Sequence, residues 1–239
     1  MIRFIKYTGI IITVLVLSSF IAQQKHTIFL LGDSISLYYR PYLIADLKDE
    51  FTIQNKSGLA QAFKDMNIPE GANGGDSRMV LSYLKAKIKE PSFEPEAVLL
   101  NCGLWDIKRD KVTKKFAVDA RNYRTNLEDI YRLLQQKNIP LIWIRTTNVI
   151  DSTHAKNHDF YRFHADLVKY NKIADKVMGE HHVPVIDLYT FTRNIGGDNH
   201  YIDHVHYDTL IRRQQAAFIS GYVKSWSHQD VRQNRIPKQ

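Results

Sequence analysis

Five short apolar runs recur along the chain, each separated from the next by a stretch of helical periodicity, and this alternation restricts the fold more than any other feature. The runs cover residues 26–31, ending in Ile28-Phe29-Leu30-Leu31, then 51–54, 97–101, 141–145 and 183–188. Helical patterns cover 37–50, with Pro41 placed in the first turn, then 76–90 and 118–137. A further helix is marked by Phe163, Leu167, Tyr170, Ala174 and Val177, and a last one runs over 207–226. The remaining stretches, 56–75, 146–160 and 193–206, read as irregular or polar loops, and the chain beyond 227 reads as a polar, frayed tail. Short apolar strands that alternate with helices build a parallel sheet covered on both faces. The expected fold class is therefore α/β, a three-layer α/β/α sandwich on a five-stranded parallel sheet. Ligands of such sheets bind beyond the carboxyl ends of the strands.

The first 24 residues stand apart. Arg3 and Lys6 precede residues 9–22, which are apolar apart from Thr13, Ser18 and Ser19. A short basic segment before an apolar run shorter than a membrane span is the pattern of a secretory signal. The reading is a signal peptide or N-terminal anchor over 1–24, one domain over 25–228 and a polar tail over 229–239. It places the protein outside the cytoplasm, secreted or periplasmic, or membrane-anchored through that segment if it is uncleaved. Cys102 is the only cysteine, which excludes an intrachain disulfide, and it follows an apolar run as a buried strand-end thiol would. The formal net charge is +8, but no dense Lys/Arg block and no nucleic-acid motif is evident, so no nucleic-acid partner is expected.

Three polar features fall at the expected ligand edge. Gly32-Asp33-Ser34 follows the first strand directly. At a helix start, free N–H groups and the helix dipole favour the negative charge that forms when a serine attacks a carbonyl. Ser and Asp are also common helix caps, and the second copy, Gly75-Asp76-Ser77, follows a polar loop and is read that way, with Asp76 or Ser77 near the cap and Ser77 taken as the capping residue. Asp203-His204-Val205-His206 precedes the last helix, where Asp203 is spaced to orient His206 as a general base. The same stretch is compatible with an incidental polar loop. It also admits a metal reading through His200, His204, His206, Asp198 and Asp203, with His154, His158 and His164 the nearest further ligands. Asn101-Cys102-Gly103-Leu104-Trp105-Asp106 ends the third strand; Asn101 is an amide donor and Trp105 a wall for a ring-shaped substrate, or the segment is a capped strand end.

Taken in order, these blocks resemble the SGNH (GDSL) hydrolase superfamily, in a subset with Gly-Leu-Trp-Asp in place of Gly-x-Asn-Asp. The matching segments are Gly32-Asp33-Ser34, Asn73-Gly74-Gly75-Asp76-Ser77, Gly103-Leu104-Trp105-Asp106 and Asp203-His204-Val205-His206, spread over nearly all of residues 25–228. The resemblance implies a flavodoxin-like SGNH hydrolase fold and a serine esterase acting through an acyl-enzyme. Ser34 is then the nucleophile, His206 the base and Asp203 its orienting acid. The N–H groups of Ser34 and Gly75 line the oxyanion hole, with Gly74 the adjacent alternative. The asparagine donor of the third block is replaced by Trp105, a loss worth about 10²–10³ in rate unless Asn73 or Asn101 compensates. The implied substrate is a small-molecule or polysaccharide ester, read as a carbohydrate O-acetyl ester with Tyr38, Tyr39 and Tyr201 as further sugar-stacking candidates. The alternatives are a lipid or lysophospholipid ester, and a non-catalytic carbohydrate-binding module on the same fold. No metal and no other cofactor is expected. The α/β-hydrolase fold is disfavoured, because the chain has no Gly-x-Ser-x-Gly pentapeptide.

Overall fold

The computed structural model describes residues 25–66, 68–151 and 159–234 of the 239-residue chain. The leader expected over 1–24, together with His154 and His158, lies outside the described residues.

Seven strands are described: β1 (His26–Leu31), β2 (Phe51–Asn55), β3 (Ala97–Leu100), β4 (Arg109–Asp110), β5 (Leu141–Ile144), β6 (Phe160–Tyr161) and β7 (Val185–Ile186). Five of them form one parallel sheet in the order β2-β1-β3-β5-β7. The register sets Leu30 against Leu99 and Leu99 against Ile142 across the three central strands. All four residues of β3 and of β5 are buried, which is why these runs are continuously apolar and do not alternate.

The helices are α1 (Ser34–Leu47), α2 (Leu59–Ala62), α3 (Ser77–Lys87), α4 (Ala120–Gln135), α5 (His164–Glu180), α6 (Leu188–Asn194) and α7 (Thr209–Asn234). They cover both faces of the sheet: α1 packs on α7, which also carries α6, while α3 packs on α4 and α4 on α5. Aspartates fix several of their starts. Asp33, Asp76, Asp119 and Asp187 each accept a hydrogen bond from a backbone N–H of the first turn of α1, α3, α4 and α6.

These caps explain where the chain departs from the pattern read in the sequence. Because Asp33 caps, α1 starts at Ser34 directly after β1, and Pro41 falls in the helix interior, not its first turn. Without an N–H, Pro41 cannot bond the carbonyl one turn back, and α1 continues through this gap on the strength of its packing against α7. Asp187 likewise stops the last strand after two residues and opens α6 where strand and loop were expected. The cap of α3 is Asp76, so Ser77 is the first helical residue and not the cap. The last helix continues to Asn234 where a frayed tail was expected. A small antiparallel ribbon of β4 and β6 stands apart from the main sheet. It is clamped to α5 by a bidentate pair, Arg109 Nε and Nη2 donating to Asp166 at 2.8 and 2.5 Å.

The candidate active site

The sheet order reverses direction on either side of β1, so the loops after β1 and β3 leave the sheet side by side. Ser34 sits at the first helical position after β1 and is 5% exposed. The Asp33 carboxylate takes the N–H of Ile35 at 3.0 Å, and the Asp33 carbonyl takes the Ser36 hydroxyl at 2.6 Å. The Ser34 N–H is left without a partner among the described residues, at the positive end of a 14-residue helix. Packing at Gly32 is tight, since a Cβ there would lie 2.7 Å from Ser36 Oγ.

The tetrapeptide before α7 folds into a turn that holds itself. Asp203 Oδ1 accepts the N–H groups of Val205 and His206 at 2.9 and 2.8 Å, and Oδ2 lies 2.5 Å from His206 Nδ1. Partial burial opposes ionisation of Asp203, but the His206 ring and these N–H donors hold its carboxyl well below the usual range. An ionised carboxylate can only accept, so Nδ1 carries the proton and Nε2 is left as an acceptor. Nε2 lies 2.7 Å from Ser34 Oγ, across a sequence separation of 172 residues. The ring is 3% exposed and is braced by the Tyr38 edge, centroids 4.8 Å apart, with the Arg212 guanidinium over the far Tyr38 ring at 3.8 Å.

The remaining candidates separate by what their donors already do. Gly74 donates its N–H to the Gly32 carbonyl at 2.8 Å, tying the second block to the first, and so is not a free oxyanion donor. Asn101 is also excluded, because its amide donates to the Ile144 carbonyl at 2.8 Å and to Thr146 Oγ1 at 3.0 Å, bracing β3 against β5. Gly75 is held at φ +71 and donates to Asn73 Oδ1 at 3.0 Å, so an incoming oxyanion must share or displace that bond. The other end of that amide, Asn73 Nδ2, is buried with no partner among the described residues, which leaves Asn73 as the one donor of the two asparagines still unengaged.

Trp105 is 6% exposed, with Lys108 Nζ 4.5 Å and the Arg162 guanidinium 5.4 Å from its ring centroid. It serves as a seat for cations and does not offer a bare stacking wall. Tyr39 is buried in the core, and Tyr201 stacks on Tyr207 with their hydroxyls 2.8 Å apart; neither is a sugar platform. Among the described residues no group of three or more His, Cys, Asp or Glu is arranged to hold a metal ion. His200 pairs with Asp208 at 2.7 Å, and His164 with Asn148 at 2.5 Å, so the histidines do not converge.

The roles of two residues here escaped the sequence. Arg162, 4% exposed, donates Nε to the Leu104 carbonyl at 2.6 Å and lies 3.2 Å from His204 Nε2 through Nη1. Asp106, the last residue of the third block, accepts from the Ser77 N–H and, at 2.5 Å, from the Ser77 hydroxyl. No signal in the chain marks Arg162, a lone arginine in an aromatic stretch.

The sequence model of the GDSL-like lipase/acylhydrolase family matches residues 30–210, which contain all four blocks. The chain belongs to this family. The acylhydrolase is accordingly an ester-hydrolysing enzyme. Its fold is shared with a solved acetyl xylan esterase at 19% identity and a TM-score of 0.60, covering 82% of this chain and 99% of that one. It is shared also with a lipase/acylhydrolase from Enterococcus faecalis at 20% identity and a TM-score of 0.63, over 90% and 99% of the two chains. A GDSL-like lipase from Bacteroides thetaiotaomicron matches at 13% identity and a TM-score of 0.60, over 92% and 97%. No curated protein matches the acylhydrolase in sequence.

Proposed function

We propose that the acylhydrolase is a serine esterase in which Ser34, His206 and Asp203 act as a catalytic triad on a carbohydrate O-acetyl ester. The observation that carries this reading is the continuous relay from Ser34 Oγ to His206 Nε2 at 2.7 Å and from His206 Nδ1 to Asp203 at 2.5 Å. His206 takes the Ser34 proton as Oγ attacks the ester carbonyl. The tetrahedral oxyanion is held by the Ser34 N–H, with Gly75 N–H and Asn73 Nδ2 as its further donors. Collapse expels the alcohol, which takes the proton from His206, and leaves an acetyl-Ser34 ester. Water then loses a proton to His206, attacks that ester and releases acetate, and the proton returns to Ser34.

A small acyl group suits a nucleophile as confined as Ser34. Cavities of about 590 and 530 Å³ lie elsewhere, one lined by Glu90, Glu94 and Lys137 and the other by Tyr42, Leu210 and Arg213; neither reaches Ser34. The basic and apolar leader supports work on extracellular or periplasmic material. Among the described residues no helix is long and apolar enough to cross a membrane.

The test is hydrolysis of p-nitrophenyl acetate by the leaderless protein. Ser34→Ala is expected to lower kcat by about 10⁴–10⁶. A fluorophosphonate is expected to label the wild type and not this variant. Full activity in Ser34→Ala, or no labelling of folded wild type, overturns the triad.

A further inference from the structure

We propose that the substrate is acidic: the acylated carbohydrate carries a carboxylate, and Lys108 and Arg162 hold it beside Trp105, next to Ser34. The inference rests on the esterase reading and adds the charge of the substrate to it.

Cations buried without counter-ions are costly, and proteins normally pair them. Arg162 is 4% exposed, yet its hydrogen-bond partners, the Leu104 carbonyl and His204, are not carboxylates. Lys108 is half-buried over the Trp105 and Phe160 rings, at 4.5 and 3.9 Å. Among the described residues neither cation has a carboxylate at ion-pair distance; Asp33 and Asp203 act on Arg162, and Asp76 on Lys108, only from farther off. The two crowd the same indole and repel one another. Burial first, then Arg162, pushes the Lys108 ammonium down to about 8, with Asp76 opposing. Burial brings Arg162 down to about 10 against the pull of Asp33 and Asp203, the carboxylates of the nucleophile loop and the triad. Arg162 is thus within electrostatic reach of Asp33 and Asp203. A carboxylate from outside would relieve both cations, and a lysine point charge beside an arginine fork suits that shape.

The approach to this pair is charged in the same sense. Residues 108–115 carry Lys108, Arg109, Lys111, Lys114 and Lys115 against one acid, Asp110. Asp110 is exposed and accepts from the N–H groups of Val112 and Thr113 on its own loop, which leaves one acid among five cations. Arg109 is engaged by Asp166. Lys114 and Lys115 are exposed, and Lys111 and Lys114 stand over Tyr161 on the neighbouring strand. The ribbon therefore offers a positive track from solvent to Trp105, which draws in and orients a polyanion.

The experiment compares an O-acetylated oligogalacturonide with the same oligomer after methyl-esterification of its carboxylates, with acetate release as the readout. The wild type is expected to favour the free acid by about tenfold or more in kcat/KM, a preference that shrinks between about 50 and about 500 mM salt. Lys108→Met is expected to bring the ratio of the two substrates toward one, and Lys108→Arg to retain it. Equal rates on the pair in the wild type overturn the inference. So does an unchanged ratio in Lys108→Met, and so does hydrolysis of neither oligomer by a protein that cleaves p-nitrophenyl acetate. Failure on p-nitrophenyl acetate itself counts against the Ser34 esterase reading, so the two are separable.

Discussion

Asp203 shows how much one side chain sets at this site. Its carboxylate fixes the His206 tautomer with one oxygen and folds the turn that carries His206 with the other. The side chain is 40% exposed, so part of its field is screened by water. Asp203→Asn keeps the shape but offers an amide where an acceptor is needed, and a ring that flips its proton to Nε2 can no longer take one from Ser34. The expected result is a fall of about 10²–10⁴ in kcat on p-nitrophenyl acetate with KM little changed, read by steady-state kinetics. Retention of wild-type kcat would show that Asp203 does not orient the base. At this scale Ser34, Asp203 and His206 could be singled out in the sequence, but each block alone also read as a cap or a polar loop, and only the resemblance to the SGNH superfamily implied that they meet. Asn73 and Asn101 were not separable in sequence. Only the cross-strand bonds to Ile144 and Thr146 reveal that the Asn101 amide is occupied while Asn73 Nδ2 is not.

Between elements, the third block is latched to α3 and α4. Asp106 accepts from the Ser77 N–H and hydroxyl, and Asn126 on α4 donates to that hydroxyl at 2.8 Å. The latch holds the Trp105 loop against the glycine turn of the second block. Burial is the main cause that pushes the Asp106 carboxyl up from 3.8 to about 7, with the Ser77 donors working against it. A raised folded-state value means the native protein holds a proton that the unfolded chain releases. Stability from this group is therefore full below about pH 4 and is lost as pH rises to about 7. Asp106→Asn is expected to flatten the pH dependence of the urea midpoint across that window. An unchanged slope would place its origin elsewhere.

At the same scale, the long helices were legible from their apolar stripes, whereas the β4–β6 ribbon was not. Its strands have two residues each and pair segments about fifty residues apart, Arg109 with Tyr161 and Asp110 with Phe160, leaving no local period to read. The cations of residues 108–115 did not stand out as a block, because Asp110, Val112 and Thr113 break the run; they gather only when the ribbon folds back.

For the whole molecule, stability rests on the sheet that all these loops leave. Leu99, fully buried on β3, has Leu30 and Ile142 as its flanking partners. Leu99→Ala is expected to cost about 2–5 kcal/mol, seen as a lower urea midpoint with the slope of unfolding unchanged. A loss under about 1 kcal/mol would mean that the sheet centre relaxes to fill the gap. The parallel architecture was legible as a whole, since strands buried on both faces must be apolar throughout; the boundaries set by Asp33 and Asp187 were not, because a cap competes locally with the strand or helix beside it.

Ser34 follows the first strand of the sheet in chain order, and His206 follows the last. A chain that has lost its first strand with Ser34, or that stops short of His206, therefore lacks half of this pair. On the triad reading, hydrolysis waits on the closing of the full fold, because the two groups meet only when its first and last strands share one sheet.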